Sequence, residues 1–283
     1  MKTYTAPNAG TRYRTIVCGI CGAAGGWDAM KDDVYTFVRC PVCGVTYQNP
    51  QPTPGSLRER YGEDYYRYEM ENERGYLRLM LLGLEDVGFH RLDGLEERGA
   101  FLDIGCATGM LLEHMRGLGW DARGVELCEP SARHARDARG LDVRTGTLED
   151  AGFEDGVFRV VHLSHLIEHV PDPRAFLAEV HRVLDPRGYA VIVTPNIRGF
   201  QARLFGARWR SVIADHLYLF SPRTLGRLLA DTGFRVERVV TWGGIAQGMA
   251  PTFIKAPVDR LAKRLGFGDV MLVLARPLAV GGP

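Results

Sequence analysis

Apolar and polar residues alternate in a regular way along the second half of the chain. Short apolar runs of strand length are each followed by a stretch whose apolar residues recur at the three- and four-residue spacing of a helix. This pattern predicts strands at residues 101–104, 122–127, 142–145, 159–163 and 189–194, and helices at 110–118, 131–139 and 173–184. Repeated strand–helix units of this length are typical of a mostly parallel sheet that is covered by helices on both faces.

One more helix and two more strands complete the pattern. Ser221 and Pro222 are typical of an N-cap and a first helical residue, and Gly233 is typical of the position that closes a helix. The last strands are predicted at residues 234–242 and 269–275. We therefore predict an α/β domain over residues 98–283, with a Rossmann-like, seven-stranded, mostly parallel sheet.

Two smaller segments precede this domain. Residues 56–97 are rich in tyrosine, arginine and leucine at helical spacing, and we interpret them as a helical cover on the substrate side of the sheet. Residues 1–55 form a separate module, because the proline-rich stretch at its end cannot continue a helix or a central strand.

The charges of the chain are nearly balanced. A net charge of +1 and an isoelectric point of about 7.7 give no electrostatic reason to expect a nucleic acid or an anionic membrane as a partner. The first eleven residues are polar, and no apolar stretch reaches the roughly 18 residues that a membrane span requires. We expect a cytoplasmic protein, and the oligomeric state stays open.

A glycine-rich turn, Asp103-Ile104-Gly105-Cys106-Ala107-Thr108-Gly109, joins the first strand of the domain to a helix. Glycines let the backbone approach a ligand closely, and the amides at the start of the following helix face that ligand. Glu126 ends the next strand, where a carboxylate can accept hydrogen bonds from both hydroxyls of a ribose. The dinucleotide pattern G-x-G-x-x-G is absent, which argues against NAD or FAD. An ordinary tight strand–helix turn is the alternative.

Several stretches resemble class I S-adenosylmethionine (SAM)-dependent methyltransferases. They are FLDIGCATG at 101–109, GVE at 124–126, GTLED at 146–150, FEDGVFRVVHLSHLIEHVPDP at 153–173 and VLDPRG at 183–188. The resemblance implies a cofactor site made by Asp103, Gly105, Cys106, Ala107, Gly109, Glu126, Leu127, Thr147, Leu148, Glu149, Ser164 and His165.

The same resemblance assigns these residues to parts of the cofactor. Asp103 would lie near the amino group of the methionine part, Glu126 would hold the ribose, and Thr147, Leu148 and Glu149 would surround the adenine. Many relatives carry aspartate where this chain has Thr147. The contact to the adenine amino group must therefore come from elsewhere, such as Glu149 or the backbone.

Four cysteines near the start of the chain form two C-x2-C pairs that are separated by 18 residues, namely Cys18, Cys21, Cys40 and Cys43. This spacing fits a tetrahedral zinc site with four thiolate ligands, in which no position is left for water and the metal is structural. Four reduced thiols in a small hairpin without metal are the alternative, but so small a segment has little core to hold it. We predict an N-terminal zinc ribbon.

A zinc ribbon can bind nucleic acid, but the charges here argue against it. Lys31 and Arg39 are the only basic residues between the two pairs, against Asp28, Asp32 and Asp33. A ribbon ahead of a class I domain resembles methyltransferases of surface-polysaccharide, deoxysugar and natural-product pathways. We interpret the ribbon as a scaffold that packs on the catalytic domain or helps to form the substrate cavity.

Histidines are the candidate bases. Methyl transfer requires alignment of the nucleophile, and a hydroxyl nucleophile also benefits from a base. His165, directly after the fourth strand, is the first candidate, and His216, in a region that relatives often use for substrate contacts, is the second. His162 lies within the strand and is interpreted as a buried structural residue, whereas His169 could brace its loop.

The pattern His165-x-x-Glu168-His169 also matches that of zinc peptidases. That interpretation needs a long helix, and Pro171 and Pro173 follow at once. The loop also resembles that of some quinone-pathway methyltransferases, so a metal that helps to bind substrate through Glu168 and His169 stays open.

Two aromatic segments allow two interpretations each. Residues 197–210 are either a lid with aromatic and basic groups for an anionic or sugar-nucleotide substrate, or an amphipathic helix at the edge of the sheet. The tyrosines of the cover, Tyr61, Tyr65, Tyr66 and Tyr68, favour core or interface packing over substrate contact.

The leading hypothesis is SAM-dependent methyl transfer to a hydroxyl oxygen of a small molecule, such as a sugar, a sugar nucleotide or a natural product. The small-molecule acceptor is then the expected partner, and no nucleic acid is expected. One alternative is an RNA- or protein-modifying methyltransferase that uses the ribbon for recognition. Another is a non-catalytic ligand-binding protein that retains the cofactor pocket.

Overall fold

The computed structural model describes residues 10–31, 35–92, 98–243, 257 and 262–278. The polar residues before position 10, Asp32, Asp33 and the end of the predicted helical cover at 93–97 lie outside the described residues.

Short strands and two helices make up the first part of the described chain. In chain order they are β1 (Tyr13–Arg14), β2 (Trp27–Lys31), β3 (Thr36–Arg39), β4 (Thr46–Gln48), β5 (Gln51–Pro52), α1 (Pro54–Arg58) and α2 (Glu63–Asp86). Strands and helices then alternate as β6 (Ala100–Ile104), α3 (Met110–Gly117), β7 (Asp121–Glu126), α4 (Glu129–Arg139), β8 (Asp142–Thr145), α5 (Leu148–Ala151), β9 (Phe158–Ser164), α6 (Pro173–Val183) and β10 (Leu184–Pro195). The last elements are α7 (Phe200–Phe205), β11 (Tyr218–Leu219), α8 (Pro222–Asp231), β12 (Phe234–Trp242) and β13 (Val270–Pro277).

The central sheet has seven strands in the order β12-β13-β10-β9-β6-β7-β8. Strands β6 to β10 pair in parallel, and β13 runs antiparallel between β10 and β12. The predicted seven-stranded, mostly parallel sheet is therefore confirmed. It brings the carboxyl ends of β6, β7, β8 and β9 to one edge, where α/β sheets bind ligands.

All seven predicted strands are present, and β10 differs most from its prediction. It begins at Leu184 rather than at residue 189, because Leu184 already pairs with Phe158 before an irregularity in the register. Pro186 and Gly188 are typical turn residues, so the sequence pattern did not predict a strand that begins before them.

The helix ends follow local chemistry. α8 begins after Ser221, whose hydroxyl accepts a hydrogen bond from the amide of Thr224 at 3.2 Å, while the Thr224 hydroxyl accepts one from the amide of Ser221 at 2.9 Å. The helical cover contains one 24-residue helix, α2, which packs on α3 and α4. No helix among the described residues is long and apolar enough to cross a membrane.

Residues 197–210 contain one short α-helix, α7, and a single 3₁₀ turn at Gly206–Arg208. α7 spans six residues and ends at Phe205, so the amphipathic helix of the second interpretation is shorter than its pattern. Trp209 is 1 % exposed and packs in a small core with Phe37 and Leu219. This segment therefore joins the N-terminal module to the main domain.

The N-terminal module shares a sheet with the main domain. The four-stranded sheet has the order β11-β4-β3-β2, and β11 belongs to the main domain. Tyr47 pairs with Tyr218, and the amide of Gln48 donates a hydrogen bond to the carbonyl of Leu217 at 2.8 Å. Cys18 and Cys40 lie in the same apolar core as Tyr218. The division of the chain at residue 55 stays a prediction, but the core is continuous across it.

Candidate active site

The glycine turn joins β6 to α3 with a backbone that requires glycine. Gly105 and Gly109 have φ angles of 71° and 82°, in the left-handed region that favours glycine. A Cβ atom on Gly109 would lie 2.5 Å from Cδ1 of Leu141 and 3.1 Å from Cβ of Ala135. α4 can therefore pack directly against the turn only because residue 109 is glycine.

Glu126 fixes the two loops that follow β6 and β7. This residue is 4 % exposed. Its Oε2 accepts a hydrogen bond from the amide of Ala107 at 2.8 Å, and its Oε1 accepts one from the amide of Cys128 at 2.7 Å. Burial raises the pKa of the Glu126 carboxyl, although these two amides oppose the change. The carboxylate thus lies beside the turn and orders it.

Asp103 and His162 form a buried pair below the turn. They are in register on β6 and β9, and Oδ1 of Asp103 lies 2.7 Å from Nδ1 of His162. The His162 ring stacks on Phe101 with a centroid distance of 6.2 Å. His162 is 1 % exposed, which confirms the prediction of a buried residue.

The residues after β8 are held by a helix cap. The hydroxyl of Thr147 accepts a hydrogen bond from the amide of Asp150 at 3.2 Å, and the amide of Thr147 donates one to Oδ2 of Asp150 at 3.1 Å. The Leu148 side chain is 1 % exposed and lies in the apolar core. Glu149 is exposed. Leu148 can therefore meet a ligand at the adenine position only through its backbone.

Helix α2 is fastened across the glycine turn by an ion-pair network. Oε2 of Glu73 accepts hydrogen bonds from the Thr108 hydroxyl at 3.0 Å and from Nη2 of Arg139 at 2.9 Å. Arg139 also donates from Nε to the Thr108 carbonyl at 2.8 Å and from Nη1 to Glu113 at 2.5 Å. The helical cover thus contacts the same turn that the sequence assigns to the cofactor.

A third carboxyl group reaches this pocket from α2. Glu69 is partly buried one turn before Glu73. Burial and the charges of Glu126 and Asp103 raise its pKa to about 7, and a hydrogen bond with Tyr65 opposes them. Three carboxyl groups, those of Asp103, Glu126 and Glu69, therefore act on one another beside the turn.

The loop after β9 carries His165 beside the turn. His165 has a φ of 52°, a conformation that is costly for a residue with a side chain and that clusters at functional sites. Its side chain is 48 % exposed, and Nδ1 lies 3.2 Å from Oε1 of Glu168. Leu166 packs against the turn, because its Cδ1 lies 3.5 Å from where a Cβ on Gly105 would be.

Glu168, His169 and His216 form a cluster behind His165. Glu168 is fully buried, and its Oε2 accepts a hydrogen bond from the Thr194 hydroxyl at 2.8 Å. Nδ1 of His169 lies 2.9 Å from the carbonyl of Asp215, and Nδ1 of His216 lies 2.8 Å from the carbonyl of Ser211.

A carbonyl can only accept, so both Nδ1 atoms carry the proton and both Nε2 atoms are free to accept. Three potential ligand atoms of this cluster, one from each residue, lie within 4.8 Å of one another.

The cluster holds one anion and two neutral rings near neutral pH. Burial alone would raise the pKa of Glu168, but the hydrogen bond from His165 and the charges of the nearby histidines lower it to about 2. Burial lowers the pKa of His216 to about 3 and also lowers that of His169. One carboxylate and two imidazoles are a donor set that divalent transition metals accept.

The zinc-peptidase interpretation does not fit this geometry. Ile167–His169 form a single 3₁₀ turn, and His165 precedes it. A peptidase site of that pattern needs a long helix that carries both histidines.

The sequence did not predict the contacts that Arg60 and the tyrosines of the helical cover make at this site. Arg60 forms an ion pair with Asp215, next to His216. Tyr61 lies between the two sides of the site: burial raises its pKa, and the charges of both Glu126 and Glu168 raise it further. The Tyr61 ring contacts that of Tyr65 edge-on at 5.1 Å. Their sequence signal was a tyrosine-rich stretch, which packing alone also explains.

The four N-terminal cysteines come together as predicted. Their Sγ atoms lie within 4.8 Å of one another, with Cys18 and Cys43 at 3.6 Å and Cys21 and Cys40 at 3.5 Å. A tetrahedral site with Zn–S distances of about 2.3 Å places sulfur atoms about 3.8 Å apart, so the group fits zinc.

Backbone amides help to prepare Cys40 as a ligand. Burial would raise the pKa of its thiol, but the amides of Cys43 and Val42 and the neighbouring thiols lower it to about 7. A zinc ligand must be a thiolate, and this lowered pKa favours that form.

Comparison with known proteins identifies relatives with this architecture. Residues 78–239 match the methyltransferase domain family. The ubiquinone biosynthesis O-methyltransferase of Thiobacillus denitrificans is 28 % identical over 151 residues, which cover 49 % of this chain and 65 % of that protein. The enzyme of the same name from Parvibaculum lavamentivorans is 37 % identical over 156 residues, which cover 49 % of this chain and 60 % of that protein. The chain thus spans less than two thirds of the length of these two relatives.

Two solved structures share the fold. A SAM-dependent methyltransferase from Thermotoga maritima, described as a possible histamine N-methyltransferase, is 24 % identical with a TM-score of 0.56, covering 75 % of this chain and 98 % of that one. A SAM-dependent methyltransferase from Archaeoglobus fulgidus is 20 % identical with a TM-score of 0.55, covering 76 % of this chain and 100 % of that one. These likenesses confirm the predicted fold, and because the family match spans more than half of the residues, this chain belongs to the methyltransferase domain family.

Proposed function

We propose that the protein transfers the methyl group of SAM to a hydroxyl oxygen of a small molecule. The observation that carries the proposal is the contact between the glycine turn and the loop after β9, where Leu166 packs against Gly105. An acceptor beside His165 would therefore lie next to a methyl donor that is bound at the turn. Alignment of donor and acceptor and exclusion of water supply much of the catalysis of such a transfer.

The residues around the turn fit SAM, which when bound supplies a methyl group already activated by its sulfonium charge. Each oxygen of Glu126 accepts one backbone amide, and a carboxylate offers about four acceptor sites, so both oxygens can also accept from ribose hydroxyls. Asp103, held by His162, can accept from an ammonium group. The amides at the start of α3 face the same crevice.

Oxygen as the acceptor atom is supported by the relatives, which are named O-methyltransferases. The chemistry beside the histidine cluster supports one class of acceptor. Arg60, Tyr61 and the histidine cluster suit a polyhydroxylated molecule, such as a sugar, a sugar nucleotide or a phenolic natural product.

A panel of acceptors tests this proposal directly. We expect methyl transfer from radiolabelled SAM to a catechol-type phenol or to a nucleotide sugar, and no transfer to bulk RNA. Transfer to RNA, or tighter binding of S-adenosylhomocysteine (SAH) when RNA is added, would support the RNA-modifying alternative instead. Calorimetry that detects no binding of SAM would contradict the proposal itself.

His165 is the proposed general base, because it is half exposed at the border of the two sites and Glu168 orients its ring. We expect His165→Asn to lower kcat by about 100-fold or more, the usual contribution of a positioned base. The dissociation constant for SAH should change by no more than about ten-fold, since one neutral hydrogen bond contributes about 0.5–1.5 kcal/mol. His90→Asn, at an exposed histidine, is the matched control. Full turnover by His165→Asn would exclude this role.

The cluster of Glu168, His169 and His216 also fits a divalent cation. Such a cation would supply positive charge that favours the ionised form of an acceptor hydroxyl. Metal analysis separates this possibility from the ribbon. One equivalent of zinc per chain that survives His216→Ala belongs to the cysteines, whereas a second equivalent that is lost in His216→Ala belongs to this cluster.

A further inference from the structure

The pocket beside the glycine turn holds one more acidic group than the family motifs explain. Asp103 and Glu126 lie within those motifs, but Glu69 comes from α2, outside them. Each added carboxyl group in a partly buried pocket repels the others, so an unbalanced third one costs stability unless a cation offsets it.

The position of Glu69 follows from the helix that carries it. Glu73, one turn later, is fixed by its contact with the Thr108 hydroxyl at 3.0 Å. Residues four apart lie on one face of a helix, so Glu69 faces the same crevice. Tyr66, three residues before Glu69, has its hydroxyl 3.2 Å from Nδ1 of His134 in α4, so this part of α2 also lies against the elements around the turn.

The described groups that face Glu69 are acidic or neutral. From its own helix the partner is Tyr65, from β6 the facing group is Asp103, and from β7 it is Glu126. Arg139, the described arginine that contacts α2 at the turn, already binds Glu73 and Glu113. Arg60 pairs with Asp215. The pocket therefore has an excess of negative charge that suits a cationic ligand.

We propose that Glu69 is a cofactor-binding residue that faces the positive charge of SAM and makes the site prefer SAM over its product SAH. This inference rests on the proposed function. SAM carries an ammonium and a sulfonium, whereas SAH has lost the sulfonium charge with the methyl group. Loss of that charge leaves the carboxylates unbalanced, which weakens the hold on the product and promotes its release.

The preference has a defined dependence on pH. In the free protein the pKa of Glu69 is raised to about 7, so the carboxyl is mostly protonated at pH 6 and mostly ionised at pH 8. A cationic ligand binds the ionised form better, so SAM binding releases a proton and tightens as pH rises. The α-amino group of the ligand also titrates, and the sulfonium lowers its pKa in SAM relative to SAH, so Glu69→Gln, which leaves the ligand groups unchanged, is the reference for the contribution of Glu69.

Calorimetry with SAM and with SAH at pH 6 and pH 8 tests the proposal. In the wild type we expect the ratio of the SAH to the SAM dissociation constant to rise by about five- to ten-fold between these pH values, as for one added charge contact in a partly buried site. In Glu69→Gln the ratio should stay at its low value at both pH values. Glu71→Gln, on the exposed face of α2, is the matched control and should behave as wild type.

Buffer dependence of the binding enthalpy gives a second measurement on the unmodified protein. Near pH 7 the wild type should release about half a proton more with SAM than with SAH, since a group at its pKa is half protonated. This measurement keeps the proposal testable where Glu69→Gln folds poorly, as judged by its circular dichroism.

The outcomes separate this inference from the proposed function. A wild-type ratio in Glu69→Gln, a pH dependence that persists in Glu69→Gln, or equal proton release with both ligands overturns the role of Glu69 while leaving methyl transfer intact. Binding of neither ligand to the wild type overturns both proposals.

Discussion

Replacing Glu126 by alanine is expected to weaken SAH binding by about 100-fold or more, since each hydrogen bond to a charged group contributes about 1.5–3 kcal/mol and the ribose would lose two. The variant also leaves the amides of Ala107 and Cys128 without their acceptor in a buried place. Both effects act on the glycine turn, so we expect the affinity for the cofactor to fall more than the affinity for the acceptor. Calorimetric titration with SAH measures it.

Two further variants separate the ribose contact from the folding of the turn. Glu126→Gln keeps one carbonyl acceptor and should bind SAH with an affinity between those of wild type and Glu126→Ala. Glu129→Ala removes a carboxylate three residues later, which bonds Thr145 and Arg136 on the surface, and should leave SAH affinity unchanged. An affinity of Glu126→Ala within about three-fold of wild type would remove Glu126 from the site.

Replacing Cys40 by serine is expected to slow methyl transfer strongly while SAH still binds. A four-thiolate zinc site supplies about 10 kcal/mol or more of folding free energy to a small module, so loss of one ligand disorders the ribbon. Strand β4 of the N-terminal module pairs with β11, and the amide of Leu217, just before β11, donates to the carbonyl of Glu168 at 2.7 Å. We expect a loss of turnover of about 100-fold or more, because His216 and Glu168 lose their support.

The measurements are zinc content, kcat and the SAH dissociation constant. Val42→Ser, at an exposed position between Cys40 and Cys43, is the matched control and should keep both zinc and turnover. Loss of SAH binding in Cys40→Ser would show that the ribbon stabilises the whole chain. Full turnover without zinc would show that the cysteine site does not support the residues at the acceptor side.

The sheet and the glycine turn could be predicted because their signals are local. An apolar run, a glycine with positive φ at residue 109 and a cap at Ser221 each act over a few residues. The clustering of the four cysteines could also be predicted, since the spacing within each pair is typical of residues that bind one metal ion.

The contributions of α2 and of β11 could not be predicted, because they depend on tertiary packing. Glu69 and Glu73 look like solvated residues of an amphipathic helix until α2 is placed across the turn. The burial of Glu168 follows from its contact with Thr194 on the neighbouring strand. The short helix α7 has too few residues for a clear period.

The pairing of β4 with β11 also sets the order in which the chain can fold. Gln51 bonds the carbonyl of Leu217, 166 positions further along, so the ribbon sheet cannot close until most of the chain has been synthesised. Until then the edge of β4 is unpaired and open to other strands, which is a known route to aggregation. A late, long-range closure of this kind slows folding, and a fragment that begins at residue 56 would leave β11 without its neighbour.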